Sequence, residues 1–132
     1  MARSTAVPRT LALLRDRGYF PWVVESYNAF SGKRNDMYGF ADIIAITDET
    51  TMAVQVCGTD FAPHLRKMTV ERREAVLAWL GNPHRRCLLV GWRKLLKKRG
   101  GKQKVFKPRI VEFFVDSADA DTLQYKELDD VV

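Results

Sequence analysis

Two stretches of the chain combine apolar residues with the sequence signals of a helix. In the first, residues 7–17, Pro8 lies near the start and Gly18 follows the end, an arrangement that favours a helix between them. The second stretch, residues 63–80, places charged residues between its apolar ones and ends at Gly81. The sequence therefore predicts two helices. Their apolar positions are Leu11, Leu13 and Leu14 in the first, and Leu65, Met68, Val76, Trp79 and Leu80 in the second.

Short apolar runs between and after these helices predict strands. Residues 22–27 are rich in β-branched and aromatic side chains, and a polar loop over 28–37 follows them. Two nearly continuous apolar runs, 39–46 and 52–57, are separated by a Thr-Asp-Glu-Thr turn, so they predict a buried hairpin. The remaining predicted strands are 87–92 and 109–115.

The order of these elements predicts one α/β domain. A helix, three strands, a second helix and a fourth strand make an αβββαβ core over about residues 5–92. A basic, hairpin-like arm over 93–109 follows, with Gly100 and Gly101 at its tip, and then an acidic tail over 112–132. With 132 residues, 46% of them hydrophobic, the chain can bury one core but not two.

The apolar runs and the cysteines indicate where the protein acts. No run is long enough for a membrane span or a signal peptide, so we expect an intracellular, cytoplasmic protein. Cys57 and Cys87 each lie in a strand-like apolar run, which favours reduced thiols in a reducing compartment. Since the chain adds only His64 and His84 to these cysteines, we expect no structural zinc site.

The positive charge of the chain is concentrated in the basic arm. Nine Lys or Arg and no acid lie in the 17 residues from Arg93 to Arg109, so the rest of a chain with net charge +6 carries −3. Such a run is either a solvated face or a contact surface for a polyanion, and its density favours nucleic acid. The acidic tail could fold back on the arm or extend into solvent. The predicted phosphate-binding residues are Arg93, Lys94, Lys97, Lys98, Arg99, Lys102 and Lys104, with Lys33 and Arg34 from the polar loop and with Trp92 and Phe106 for stacking.

Two polar residues interrupt the apolar runs of the predicted hairpin. Asp42 lies within 39–46 and Gln55 within 52–57. Burying either without a partner would cost roughly 2 kcal/mol or more, and more for the charge. Asp42 could pair with an arginine or cap a loop. Alternatively the two side chains present a carboxylate and an amide oxygen to one point, which suits a hard cation such as magnesium.

The residues around this pair resemble the paired motif of the PD-(D/E)XK nucleases. The segment Gly-Phe-Ala-Asp-Ile-Ile-Ala-Ile at 39–46, a turn, and Ala-Val-Gln-Val-Cys at 53–57 are similar to that motif, in particular to the Holliday junction resolvase and virus-type replication-repair branches. The resemblance implies a restriction-endonuclease-like core, with a mixed central sheet flanked by two helices. It also implies bound magnesium, or manganese in its place. By position, Asp42 is the metal-binding aspartate and Gln55 stands where a second acid is usual.

The chain departs from this family pattern at two positions. Gln55 replaces a carboxylate, and Cys57 stands where the family has lysine, although Cys57 also reads as a small buried apolar residue. The resemblance offers Lys67 as a lysine moved to the following helix, and Lys33 less directly; Lys67 could equally be a solvated helix residue. Glu25 is the natural third acid, unless it points to solvent. Three further acids are interpreted as ordinary turn residues, namely Asp36, Asp48 and Glu49. His64 could assist proton transfer, but it is interpreted as a capping or surface residue.

These expectations combine into one function and two alternatives. The leading prediction is a magnesium-dependent endonuclease that hydrolyses phosphodiesters of duplex, branched or junction DNA. A junction substrate, which the resemblance alone suggests, would favour a homodimer with two sites facing two strands. The small size fits a virus-encoded, phage or mobile-element protein that acts inside the host cell. The first alternative is a catalytically inactive nucleic-acid-binding protein on the same fold, because Gln55 and Cys57 replace the acid and the lysine. The second is a small RNA-binding module in which Asp42 is structural.

Overall fold

A computed structural model describes the backbone of residues 2–132 and the side chains of residues 5–132. The helices are α1 (Ala2–Asp16), α2 (Phe61–Arg66) and α3 (Arg73–Trp79), and a π-helical turn (Lys67–Glu71) joins the last two. The strands are β1 (Phe20–Val23), β2 (Ser26–Asn28), β3 (Lys33–Asn35), β4 (Ile43–Ile46), β5 (Thr51–Cys57), β6 (Arg85–Leu96), β7 (Lys104–Val115) and β8 (Leu123–Leu128).

Six strands form one mixed sheet in the order β1-β4-β5-β6-β7-β8. Neighbouring strands run antiparallel, except that β5 and β6 are parallel and are connected by α2, the π-turn and α3. The strands β2 and β3 make a separate small hairpin. The predicted α/β class is thus confirmed.

Helices cover both faces of the sheet. Side chains alternate between the two faces along each strand, so the nearly continuous apolar strands present apolar side chains on both sides. On one side, α1 packs Ala6 and Leu14 against Ile43, Val54 and other residues of one core cluster. The opposite side carries a second cluster, to which the α2–α3 segment contributes. Its buried members are Phe40, Ala41, Ala53, Cys57, Phe61, Met68, Val76, Cys87, Leu89, Val111 and Phe113.

The predicted second helix is interrupted at the π-turn, where the Arg72 amide donates to the Lys67 carbonyl at 2.7 Å. Val76 lies eight positions after Met68. On a regular helix, at about 100° per residue, the two side chains would point in directions about 80° apart around the helix axis. One extra residue taken up by a wider turn brings them to within about 20° of each other. Both are fully buried in the same cluster. The interruption therefore keeps the apolar face aligned with the sheet.

The polar loop predicted over 28–37 and the strand predicted over 22–27 are partly wrong. The strand stops at Val23, and the chain resumes as β2, which pairs with β3 inside the expected loop. The acidic tail also contains the unpredicted strand β8, which pairs with β7 from Ile110 to Val115. Glu127 of β8 contacts Arg109 at 3.1 Å, so the tail folds back on the inner end of the arm.

The basic arm is a hairpin, as predicted. The pairing of β6 with β7 runs from Cys87 and Phe113 out to Leu96 and Lys104, and Gly100 lies in the connecting turn with a φ of 78°. Beyond Ile110, residues 104–109 pair with β6 alone, so the outer half of the hairpin projects past the rest of the sheet.

The two cysteines are buried and form no disulfide. Burial raises the pKa of the Cys87 thiol far above its ordinary value, which keeps that thiol protonated and inert. Among the described residues, no helix has both the length and the apolar character needed to cross a membrane.

Candidate metal centre

Asp42 and Gln55 face each other at one end of the β4–β5 hairpin. The register pairs Ile43 with Val54, so the next pair outward is Asp42 and Gln55. Both side chains are fully buried. One carboxylate oxygen of Asp42, Oδ2, accepts a hydrogen bond from Gln55 Nε2 and another, at 2.8 Å, from the backbone amide of Val56. The structure therefore brings together the two residues that the sequence singled out.

Two further acids reach the same point through the small hairpin and the turn that follows it. Because Ser26 pairs with Asn35, Glu25 and Asp36 lie opposite each other at the base of the β2–β3 hairpin. A bridge between Met37 and Ala41 then brings Asp36 back beside Asp42. Carboxylate oxygens of Glu25, Asp36 and Asp42 all lie within 4.8 Å of one another. These three acids with Gln55 and Lys67 are called the acidic cluster below.

The interpretation of Asp36 as an ordinary turn residue is wrong, because its side chain belongs to the acidic cluster. Only 6% of its side chain is exposed, and it contacts both Gln55 Nε2, at 3.4 Å, and Lys67. The sequence signal was weak, because aspartate is common in polar loops. Its distance of six residues from Asp42, across a turn containing Gly39, was the one available hint.

The turn between Asp36 and Asp42 depends on an unusual backbone. Tyr38 and Gly39 have φ values of 55° and 77°, in the left-handed region where side chains other than glycine are disfavoured. At Gly39 an added Cβ would lie 2.6 Å from Arg72 Nε, so the Arg72 side chain packs directly on the glycine. This packing ties the turn to the end of the π-turn.

Lys67 supplies the cation of the cluster. It is the first residue of the π-turn, and its Nζ lies 2.7 Å from Asp36 Oδ2. The other candidate, Lys33, lies exposed in β3 opposite Asn28. Its neighbour Arg34, predicted to contact phosphate, lies 3.3 Å from Glu25 and keeps 54% of its side chain exposed. Of the two lysines proposed to replace the family lysine, Lys67 is therefore the one that contacts an acid of the cluster.

The charges and donors of the cluster suit a hard divalent cation. Three carboxylates against Lys67 and Arg34 leave one net negative charge, and two ionised carboxylates at this separation repel by roughly 3 kcal/mol. Gln55 Oε1 is the one buried side-chain oxygen or nitrogen among residues 5–132 without a hydrogen-bond partner. Rotation of the amide by about 180° would exchange its oxygen and nitrogen and turn that oxygen toward the acids. Carboxylate and amide oxygens are the ligands that magnesium and manganese prefer.

A second group of metal-ligating side chains lies where β5 ends. Cys57, Asp60 and His64 each place one ligand atom within 4.8 Å of the others. His64, interpreted from the sequence as a surface or capping residue, has its Nδ1 2.8 Å from the Asp60 carbonyl and 3.4 Å from the Asp60 carboxylate.

The cations of the basic arm are exposed, with the exception of Arg109, which is half-buried. Two cations contact the Phe106 ring: the Arg9 guanidinium lies 3.4 Å from the ring centroid and the Lys94 ammonium 5.1 Å from it. The expectation that Trp92 stacks on bases is wrong, because its ring is buried and its Nε1 donates to Thr10 Oγ1 at 2.8 Å. Phe106 remains as a partly exposed aromatic on the arm.

The chain matches no protein-family model, no curated protein and no solved structure.

Proposed function

We propose that this protein is a metal-dependent nuclease that hydrolyses DNA phosphodiesters, built on the core of the PD-(D/E)XK nucleases. The convergence of Glu25, Asp36, Asp42 and Gln55 beside Lys67 carries the proposal. The order of α1, β1, β4, β5, the α2–α3 segment and β6 is compatible with the αβββαβ core of that superfamily.

The acidic cluster would hold the metal through the three carboxylates and the Gln55 amide oxygen. A bound magnesium or manganese ion supplies a Lewis acid and a more acidic water. The Val56 amide donates to Asp42 Oδ2 at 2.8 Å, and this bond can hold the carboxylate in place when the Gln55 amide turns its oxygen toward the metal. Lys67 carries the one ammonium group on the cluster, and 26% of its side chain is exposed, so it can turn from Asp36 to a phosphate oxygen. There it would offset the negative charge that develops during hydrolysis.

The basic arm would hold the DNA near this cluster. Gln55 pairs with Leu89 of β6, and the arm begins at Arg93, four residues further along the same strand. That separation corresponds to about 13 Å along the sheet, which is within the width of a DNA duplex groove and its flanking phosphates. Exposed lysines and arginines at this position can bind phosphates without reading sequence.

A cleavage assay tests the proposal. Duplex, nicked, single-stranded and four-way DNA are incubated with the protein in magnesium, in manganese or in EDTA. We expect cleavage that requires the metal and is lost in Asp42→Asn and Asp36→Asn. The matched control is Asp48→Asn in the exposed β4–β5 turn, which should cut like the wild type. Thermal unfolding of each variant shows that it is folded. Cleavage that persists in EDTA, or in Asp42→Asn, would contradict the proposal.

One observation favours a second function, binding of nucleic acid without cleavage. Gln55 Nε2 donates to Asp42 and to Asp36, and Lys67 pairs with Asp36, so the cluster is partly satisfied by its own members. Tight DNA binding with no cleavage in either metal would establish this alternative.

A further inference from the structure

We propose a second metal site, separate from the acidic cluster, in which Cys57, Asp60 and His64 bind a transition metal of the zinc type. Sulfur, oxygen and nitrogen donors from these three residues lie within 4.8 Å of one another. The site goes beyond the proposed nuclease activity and does not depend on it.

Local structure explains why the three side chains meet. Cys57 is the last residue of β5, and Asp60 is the residue that precedes α2. His64 is one helical turn after Asp60, so the two side chains lie on the same side of α2. An aspartate at this position normally accepts a hydrogen bond from the first amides of the helix. Asp60 makes no such bond, and its carboxylate lies beside His64 instead.

Close packing surrounds the Cys57 sulfur, and a cavity lies beside the residues that follow it. At Gly91, a Cβ would lie 3.1 Å from Cys57 Sγ and 2.6 Å from the Phe61 ring, so only glycine allows both side chains to pack this closely on the β6 backbone. A cavity of about 190 Å³ opens beside Gly58, Thr59 and Gly91. Arg109 also borders the cavity, but its charge is paired with Glu127.

The donor set selects the kind of metal. Thiolate and imidazole ligands favour zinc or cobalt over magnesium, which prefers oxygen. Ligand atoms around a tetrahedral zinc lie roughly 3.5 Å apart. Asp60 can rotate to close the remaining gap, since its side chain is 59% exposed and makes no helix cap. Three protein ligands leave a fourth position for water, unlike a closed structural site.

Cobalt titration of the intact protein under reducing conditions tests this site. We expect one equivalent of cobalt to produce a thiolate-to-cobalt charge-transfer band in the near ultraviolet and intense visible bands of a tetrahedral ion, both removed by zinc. Cys57→Ser should lose the charge-transfer band. The matched control Cys87→Ser, which removes the other buried thiol, should keep it.

Two further variants keep the test decisive if Cys57→Ser does not fold. His64→Gln, on the half-buried face of α2, should weaken cobalt binding by at least about 10-fold, whereas His84→Gln should not. Asp42→Asn should leave the band unchanged, which separates this site from the acidic cluster. A wild-type protein without the band, or an unchanged cobalt affinity in His64→Gln, would overturn the proposal.

Discussion

At the scale of single residues, the candidate site is made by polar side chains placed opposite one another by strand register. Asp42 faces Gln55 across β4 and β5, and Glu25 faces Asp36 across β2 and β3. Lys67 closes the group from the helical side through its contact with Asp36. Each of these side chains therefore has a defined partner. A substitution at one of them should change the metal affinity, the cleavage rate or the stability of the protein.

Substitution of Lys67 should strengthen metal binding but slow DNA cleavage. In Lys67→Gln, Asp36 loses the ammonium that competes with a cation, so we expect tighter manganese binding in the absence of DNA. Cleavage should nevertheless fall by about 10²-fold, because a charge that stabilises the developing anion is removed. Manganese titration and single-turnover cleavage measure the two effects. Lys33→Gln, on exposed β3, is the control; a Lys67→Gln variant with wild-type cleavage would remove Lys67 from the mechanism.

Gln55→Glu should make the stability of the protein depend on the metal. The change removes a donor to two carboxylates and adds a fourth negative charge, so unfolding in EDTA should require roughly 3 kcal/mol less than in the wild type. Magnesium at about 100 times its dissociation constant should raise the free energy of unfolding of the variant by about 2.7 kcal/mol. Denaturant unfolding with and without magnesium measures both quantities. Gln124→Glu on exposed β8 is the control, and a Gln55→Glu protein that is no more stable in magnesium than in EDTA would argue against a metal at Gln55.

Part of this site could be predicted from the sequence, for a physical reason. A polar residue within a buried apolar strand requires a partner, so Asp42 and Gln55 stand out in the sequence. Asp36 lies in a polar loop, where an acid needs no explanation, and only the β2–β3 register and the bridge from Met37 to Ala41 bring it to the site. A position that depends on contacts between separate elements cannot be read from the residues next to Asp36 in the sequence.

At the scale of elements, the turn over 36–42 and the π-turn set the geometry of the site. Gly39 allows the backbone to double back, and Arg72 packs on it from the end of the π-turn. The β4–β5 and β6–β7 hairpins could be predicted because each is an apolar run on either side of a clear turn. The π-turn could not, since the sequence over 63–80 has helical periodicity on either side of it.

Gly39→Ala should damage the site more than it damages the fold. Gly39 and Gly32 both have positive φ, of 77° and 68°, so alanine at either should cost about 1 kcal/mol of stability. At Gly39 the new Cβ also displaces Arg72, whereas at Gly32 nothing lies within 4 Å. We therefore expect similar decreases in stability but weaker manganese binding in Gly39→Ala alone. Equal metal affinity in the two variants would show that this turn does not position the acids.

At the scale of the whole molecule, the acidic tail meets the inner end of the basic arm, where Glu127 contacts Arg109. One sheet runs from Phe20 to Leu128, and the basic hairpin projects beyond it while the acidic tail pairs with the inner part of β7. The charge run could be predicted from composition alone. The position of the tail could not, because β8 is short and carries only a weak strand pattern.

Neutralising Lys97 and Lys98 should weaken DNA binding and reduce its salt dependence. For each DNA phosphate that a lysine no longer neutralises, the slope of log affinity against log salt should fall by about 0.9 on duplex DNA. The double variant to glutamine should therefore show a slope reduced by up to about two units. The control, Arg15→Gln with Lys126→Gln, removes the same charge from α1 and β8. A wild-type slope in the Lys97 and Lys98 variant would show that the arm does not contact DNA.

The most direct test of the central claim is the anomalous scattering of manganese in a crystal of this protein. We predict a peak among the carboxylate oxygens of Glu25, Asp36 and Asp42, with Gln55 Oε1 turned toward it. A map without that peak, in which Gln55 Nε2 still donates to Asp42 and Lys67 still holds Asp36, would contradict a metal centre at this position.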